Sequence, residues 1–172
     1  MISNLDKSQF VVRGEKGLPE SYPIPTSVEN LLFYIQRNLN KNTVVYTANF
    51  SYGNKLDSEY PINVYWIKYS EDGKEAKLNL IQKKAFGYKS LKINDDTYEI
   101  IMSSYDKFRL FLHRGDDGLC TLNTKISGQD AILSNIYVFA DELGIFPQVK
   151  FIEFYGQHIQ NQLPLYQRIT IS

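Results

Sequence analysis

From residue 89 to the C-terminus the sequence alternates strand-like runs with turns, at no fixed period. A short run rich in Tyr, Phe, Ile, Leu and Val is followed by a break of turn residues. Runs of this kind read as strands, and breaks this short return the chain antiparallel to itself. Residues 89–93 are followed by the turn Asn94-Asp95-Asp96-Thr97 and then by 98–103. Residues 108–113 lead into a hairpin loop, Arg114-Gly115-Asp116-Asp117-Gly118, and on to 119–126. After Ser127-Gly128-Gln129-Asp130 come two more runs, 132–140 and 149–155, joined by a loop with Gly144 and Pro147. Residues 165–171 are placed to close the sheet. A chain built this way buries its apolar residues on sheet faces.

The first half is more mixed. Residues 1–27 are polar and turn-rich. Pro23 and Pro25 favour an extended path there, so this part reads as an arm, extended or partly disordered. Residues 28–42 carry two patterns. Val28, Leu31, Leu32, Ile35 and Leu39 follow helical spacing, with Thr26 and Glu29 as a capping box. The same residues give a strand over 31–37, an Asn-rich loop over 38–42 and a strand over 43–50. That hairpin is favoured over the helix. Residues 62–69 have large side chains on both faces, which predicts a central strand covered on both sides.

The clearest helical pattern runs from Lys74 to Phe86. Leu78, Ile81, Ala85 and Phe86 share one face, Lys83 and Lys84 complement the dipole, and Gly87 is placed for a left-handed cap. The expected fold is therefore α+β and β-dominated: one domain over 28–172, with eight to ten mostly antiparallel strands and about one α-helix (74–86). A barrel and a β-sandwich fit the pattern equally well.

Composition narrows the function more by exclusion than by assignment. The chain carries 19 Lys plus Arg against 19 Asp plus Glu. Lys83 and Lys84, with Lys77 and Lys89 nearby, are the densest basic cluster, and a solvated helix end accounts for them better than a nucleic-acid track. No nucleic-acid partner is expected, and no apolar run approaches the ~20 residues of a membrane span. The start, Met-Ile-Ser-Asn-Leu-Asp-Lys, has no basic segment followed by an apolar one. That predicts the cytoplasm, or export if a native leader has been removed. Cys120, the single cysteine, sits in an apolar run and reads as a small hydrophobe.

His113 and His158 are 45 residues apart with no short-spaced ligand pattern, so no metal is expected. Phosphate loops and nucleophile elbows are absent, and no catalytic residue or cofactor is assigned. Arg114-Gly115-Asp116 is explained by its hairpin. Asn49-Phe50-Ser51 fits a glycosylation sequon, with no secretion signal beside it. What remains is an aromatic surplus, 13 Tyr and 10 Phe, beside isolated cations. Trp66 and Lys68 point the same way on one strand. Arg37 shares a face with Phe33 and Ile35, and Arg109 alternates against Phe108 and Leu110. Cations among aromatics line sites for anionic or planar ligands, while the plainer reading is a filled core with cations at its edge. Arg37, Trp66, Lys68 and Arg109 are thus the candidate ligand-binding residues.

The order of several motifs is itself informative. Leu32-Phe33-Tyr34-Ile35-Gln36-Arg37 precedes Asn40-Lys41-Asn42-Thr43-Val44-Val45-Tyr46. Then come Pro61, Val64-Tyr65-Trp66-Ile67 and Tyr69, and after them Ile81-Gln82-Lys83-Lys84-Ala85-Phe86-Gly87-Tyr88. Ile136-Tyr137-Val138, Pro147, Val149, Phe151-Ile152-Glu153 and Tyr155-Gly156 complete the series. This series, over roughly residues 30–157, resembles an uncharacterised bacterial family known only as a domain of unknown function. Phe86 stands where that family is expected to carry Tyr. The resemblance implies one compact domain and the hairpin over 31–50, and it brings no activity with it. Its members often look exported.

The function expected from the sequence is a non-enzymatic module that binds a small amphipathic ligand or a protein partner. The alternative is a hydrolase-like enzyme whose site joins loop carboxylates to His113 or His158.

Overall fold

The computed structural model describes residues 22–141 and 148–171. Among the described residues, eleven strands and one short α-helix follow in order, with 3-10 turns at Tyr52–Asn54 and Tyr69–Glu71. The strands are β1 (Leu31–Arg37), β2 (Thr43–Ala48), β3 (Ile62–Lys68), β4 (Lys74–Lys77), β5 (Tyr88–Asn94), β6 (Thr97–Met102), β7 (Tyr105–Arg114), β8 (Cys120–Ile126), β9 (Gln129–Asp141), β10 (Gln148–His158) and β11 (Pro164–Thr170). The helix α1 (Leu80–Phe86) lies between β4 and β5. All strands belong to one sheet, ordered β4-β3-β2-β1-β9-β8-β7-β6-β5, with β10 on the other edge of β9 and β11 beyond it. The sheet is strongly curled into a half-barrel, mostly antiparallel. This is the expected β-dominated α+β fold, and of the two expected architectures it is nearer the barrel. The expected arm is described only from residue 22; residues 1–21 lie outside the described residues.

The β1–β2 hairpin forms over the predicted residues, and its loop shows why asparagine recurs there. The Asn40 Oδ1 accepts from Asn42 N at 2.9 Å and from Arg37 Nη2 at 2.9 Å. Asn42 Oδ1 accepts from Ser70 N and Oγ, which ties the hairpin to the end of β3. Asn38 bonds Ala140 O and N at 2.9 and 2.8 Å, so its amide extends the β1–β9 ladder by one more rung. Side-chain amides of this kind mimic backbone partners and favour loops over regular elements.

The helix expected over 74–86 is shorter, and its first half is a strand. Asp72 and Gly73 both take positive φ, at 58° and 77°. They close the loop 69–73, which opens with the 3-10 turn Tyr69–Glu71. It returns the chain so that Lys74–Lys77 pairs antiparallel with Tyr65–Lys68. Ladder pairing overrides the helical propensity of Lys-Glu-Ala-Lys. Leu78 then buries into the core, and Asn79 starts the helix. Its side chain accepts from Gln82 N, while Gln82 Oε1 accepts from Asn79 N, a complete capping box. Within α1 no residue is fully buried, so Ile81, Ala85 and Phe86 do not form the expected core stripe. Gly87 is extended (φ −74°), not left-handed. It is needed because a Cβ there would stand 2.3 Å from the Lys83 carbonyl oxygen.

β3 is not central. It lies one strand from an edge, with Trp66 and Ile67 buried but Asn63 exposed. β1 and β2 are covered on both faces, as are the middles of β9 and β10; every residue of β2 is buried. The β4 edge is kept safe from further pairing by length and charge, with four residues, two of them Lys.

The curl depends on β9, the longest strand. Its first half pairs with β8 (Asn123↔Ile132 to Ile126↔Gln129), and its second half pairs in parallel with β1 (Tyr34↔Asn135 to Arg37↔Val138). β10 runs along the opposite edge, and its register shifts between Tyr155 and Gly156, where β9 changes partner. An extra residue at such a point bends the strand and increases its twist. A Cβ on Gly156 would lie 2.4 Å from Ile132 O and 2.7 Å from Ile126 Cδ1. Gly156→Ala is therefore expected to destabilise the fold by about 1–3 kcal/mol. Urea unfolding checks this, and an unchanged midpoint would show that the bend does not need glycine.

Side chains divide between the two faces. The concave face carries the main core, including Phe33, Val44, Tyr46, Leu110, Leu122, Leu133 and Phe154. Phe33 and Tyr46 stack at 4.1 Å. The open side of the half-barrel is bridged by phenols. Tyr46 OH donates to Phe86 O at 2.6 Å. Tyr88 OH donates to Ile62 O at 2.6 Å and accepts from Ile62 N at 2.9 Å. These three bonds tie β2 and β3 to α1 and β5 without a ladder between them. The convex face carries a second aromatic layer, built on Tyr137, Phe151 and Tyr155.

Candidate functional site

Among the described residues the concave face does not fill completely. A cavity of about 780 Å³ lies between α1 and the inner faces of β1, β7, β9 and β10. The alternation of these strands supplies its apolar wall: Ile35, Leu110, Ile136, Val138, Ile152 and the stacked pair Phe108–Phe154, whose centroids are 4.0 Å apart. On the open side the helix adds Ile81, Gln82, Ala85 and Phe86. Polar groups are few; Arg37, Ser104, Asp106 and Lys107 are among them.

Arg37 is the residue with unusual electrostatics. Its guanidinium lies 4.8 Å from the centroid of Trp66 and 6.0 Å from that of Phe86. Nη2 donates to Asn40 Oδ1, while Nε is buried and has no hydrogen-bond partner among the described residues. No carboxylate pairs with Arg37 among those residues. Burial pushes its pKa below the ordinary value, partly offset by the nearby Tyr22 hydroxyl. Arginine stays protonated through such shifts, so the cavity holds a desolvated cation whose neighbours are rings and amides.

Trp66 is 4% exposed and stands behind Arg37, outside the cavity lining. Its Nε1 donates to Gln82 Oε1 at 3.1 Å, and its ring meets Phe86 edge-on at 5.5 Å. It therefore positions both the guanidinium and the helix. The structure brings these two of the four candidates together and places the other two elsewhere. Lys68 reaches Glu71 at 3.6 Å. Arg109 projects from the face of β7 opposite Phe108 and Leu110, is mostly exposed, and pairs with Glu99. Neither lines the cavity.

The two histidines also lie apart from it. His113 Nδ1 contacts Thr97 Oγ1, and His158 Nδ1 accepts from the turn amide of Gln160 at 3.1 Å. Neither has a carboxylate within hydrogen-bond reach among the described residues, which leaves a His–acid pair without geometric support. No group of three or more His, Cys, Asp or Glu among the described residues is placed to hold a metal. Cys120 is half-buried against the core, and burial pushes its thiol up to about 11. No helix among the described residues is long and apolar enough to cross a membrane.

The convex face holds a second polar cluster that sequence reading missed. Glu153 is fully buried. It accepts from Tyr155 OH at 2.9 Å, Tyr166 OH at 2.6 Å and Arg168 Nη2 at 3.0 Å. Arg168 lies 4.0 Å over the Phe151 ring. The signal was present: an acid in the middle of the apolar run Phe151 to Tyr155, with Arg168 as its direct partner on β11. A buried carboxylate held by donors from both strands is a structural clamp between β10 and β11.

Burial of phenols predicts how the protein responds to alkali. Desolvation first of all raises Tyr34, Tyr46 and Tyr155, and pushes Tyr88 and Tyr166 up to about 12. Unfolded tyrosine ionises near 10. Between about pH 10 and 12 the unfolded chain gives up protons that the folded chain keeps, so stability falls as pH rises. Tyrosinate absorbance of the native protein is expected to lag behind that of the urea-unfolded protein across this window. Coincident curves would show that these hydroxyls are hydrated.

Comparison with known proteins adds the family and nothing on chemistry. A family model described as Domain of unknown function (DUF4833) matches residues 33–168. No curated protein and no solved structure matches the chain.

Proposed function

The chain belongs to the family described as Domain of unknown function (DUF4833), and from there we propose that it is a non-enzymatic binding protein for a small anionic amphiphile. One observation carries the reading: an apolar cavity of about 780 Å³ whose lining includes a half-buried guanidinium with no carboxylate partner among the described residues. The volume is within the range of small-molecule sites, about 300–1,000 Å³. A buried cation without a counter-ion is unfavourable by itself, and a ligand carboxylate or sulfate supplies that counter-ion. Charge-assisted bonds to a planar guanidinium then fix the head group, while Ile136, Ile152, Phe108 and Phe154 take the tail. Lys107, exposed and also in the lining, stands beside the equally exposed Asp106, so Arg37 is the cation that decides the site's preference.

Calorimetric titration with laurate, and with dodecanol as its uncharged counterpart, tests the proposal. Laurate is expected to bind one to one and more tightly than dodecanol, with a negative heat-capacity change from apolar burial. It is also expected to raise the melting temperature. Absence of laurate binding, or equal affinity for the two, would overturn it.

A further inference from the structure

The basic cluster noted in the sequence has no part in the cavity, and its surroundings give it one. Residues 76–94 contain five lysines (Lys77, Lys83, Lys84, Lys89 and Lys92) and no acid, in a chain whose charges cancel overall. Lys92 pairs with Asp95. The other four are exposed and make no ion pair among the described residues. The same stretch exposes large apolar side chains: Leu80 is 79% exposed, Ile81 80%, Leu91 59% and Ile93 54%. Leu91 and Ile93 lie on β5, which is a sheet edge. Apolar side chains this exposed, set among unpaired lysines, match the chemistry of a lipid interface: the apolar groups enter the acyl boundary and the lysines meet anionic head groups.

Position strengthens the argument. Ile81 is at once one of the most exposed apolar residues and part of the cavity wall. The helix that carries it packs no residue fully into the core. Its attachments are mainly Trp66 Nε1 to Gln82, Tyr46 OH to the Phe86 carbonyl and Ser104 Oγ to the Ala85 carbonyl. We propose that the α1–β5 segment docks on an anionic bilayer surface and that the amphiphile passes between bilayer and cavity alongside α1. This rests on the cavity reading for its cargo; docking itself does not.

Flotation of the full chain with vesicles tests it, using phosphatidylcholine alone and phosphatidylcholine mixed with phosphatidylglycerol. The protein is expected to float with the mixed vesicles, to stay behind with the neutral ones, and to be released by high salt. Leu80→Asp and the pair Lys83→Glu, Lys84→Glu lie outside the cavity lining. Each is expected to lose at least ten-fold in vesicle affinity while laurate binding without vesicles is unchanged. Equal binding to both vesicle types, or wild-type flotation of the variants, would overturn the proposal. So would a wild-type dimer that Leu80→Asp turns into a monomer, because a second copy would then be the occupant. Laurate binding without flotation removes docking and keeps the cavity reading. Flotation without laurate binding removes the cavity reading and the passage alongside α1.

Discussion

Glu153→Ala is expected to lower stability by about 3–5 kcal/mol, the typical result of removing one member of a buried ion pair. For a chain of this size that corresponds to a fall of roughly 10 °C in melting temperature. The carboxylate is fully buried and receives three donors from two strands. Without it, Arg168 over Phe151 and the Tyr155 and Tyr166 hydroxyls each lose their bond to the carboxylate. Two further variants separate lost charge pairing from lost packing. Glu153→Gln keeps the shape and accepts with one oxygen, so it should fall between alanine and wild type. Glu153→Leu combined with Arg168→Met should recover much of the loss, because it removes both charges together. Thermal and urea unfolding read all of these. A double variant no better than Glu153→Ala would mean that the cluster acts by shape alone.

Arg37→Met is expected to weaken laurate binding by about 10–100-fold, the range for a lost charge-assisted hydrogen bond in a partly buried site. Dodecanol should be nearly unaffected. The folded protein should tolerate the change, since Arg37 has no carboxylate partner among the described residues and methionine can still cover the Trp66 face. Arg37→Lys should be intermediate. It keeps a charge but loses the planar group that stacks on Trp66 and presents two parallel donors. Calorimetry of both ligands against the three proteins decides. An equal loss for laurate and dodecanol would show that Arg37 shapes the cavity and does not recognise charge.

The candidate site was only partly legible beforehand. Arg37 and Trp66 stood out as cations and aromatics on inward strand positions, and the curl of the sheet brings them together. Lys68 and Arg109 carried the same local signature. The first turns to Glu71, and the second lies on the opposite face of its strand from the cavity. Nothing local separates these cases, because which face of a strand meets a cavity depends on what packs across it. Glu153 was hidden for a related reason. An acid inside an apolar run has meaning only once its partner strand is known, and Arg168 is 15 residues away.

The sequence by itself determined where most strands and turns lie. Hairpins such as 31–48 and 120–141 follow from period-two alternation and from residues suited to tight turns, both of which are local. The tertiary structure decided the rest: that Lys74–Lys77 is a strand, that β9 exchanges β8 for β1, and that β1 and β9 run parallel. It also decided that the sheet curls without closing and leaves a cavity beneath a seven-residue helix. Pairing and register are chosen by which distant strand can cover a given face. That choice depends on the summed burial of the whole sheet, and no window of sequence contains it.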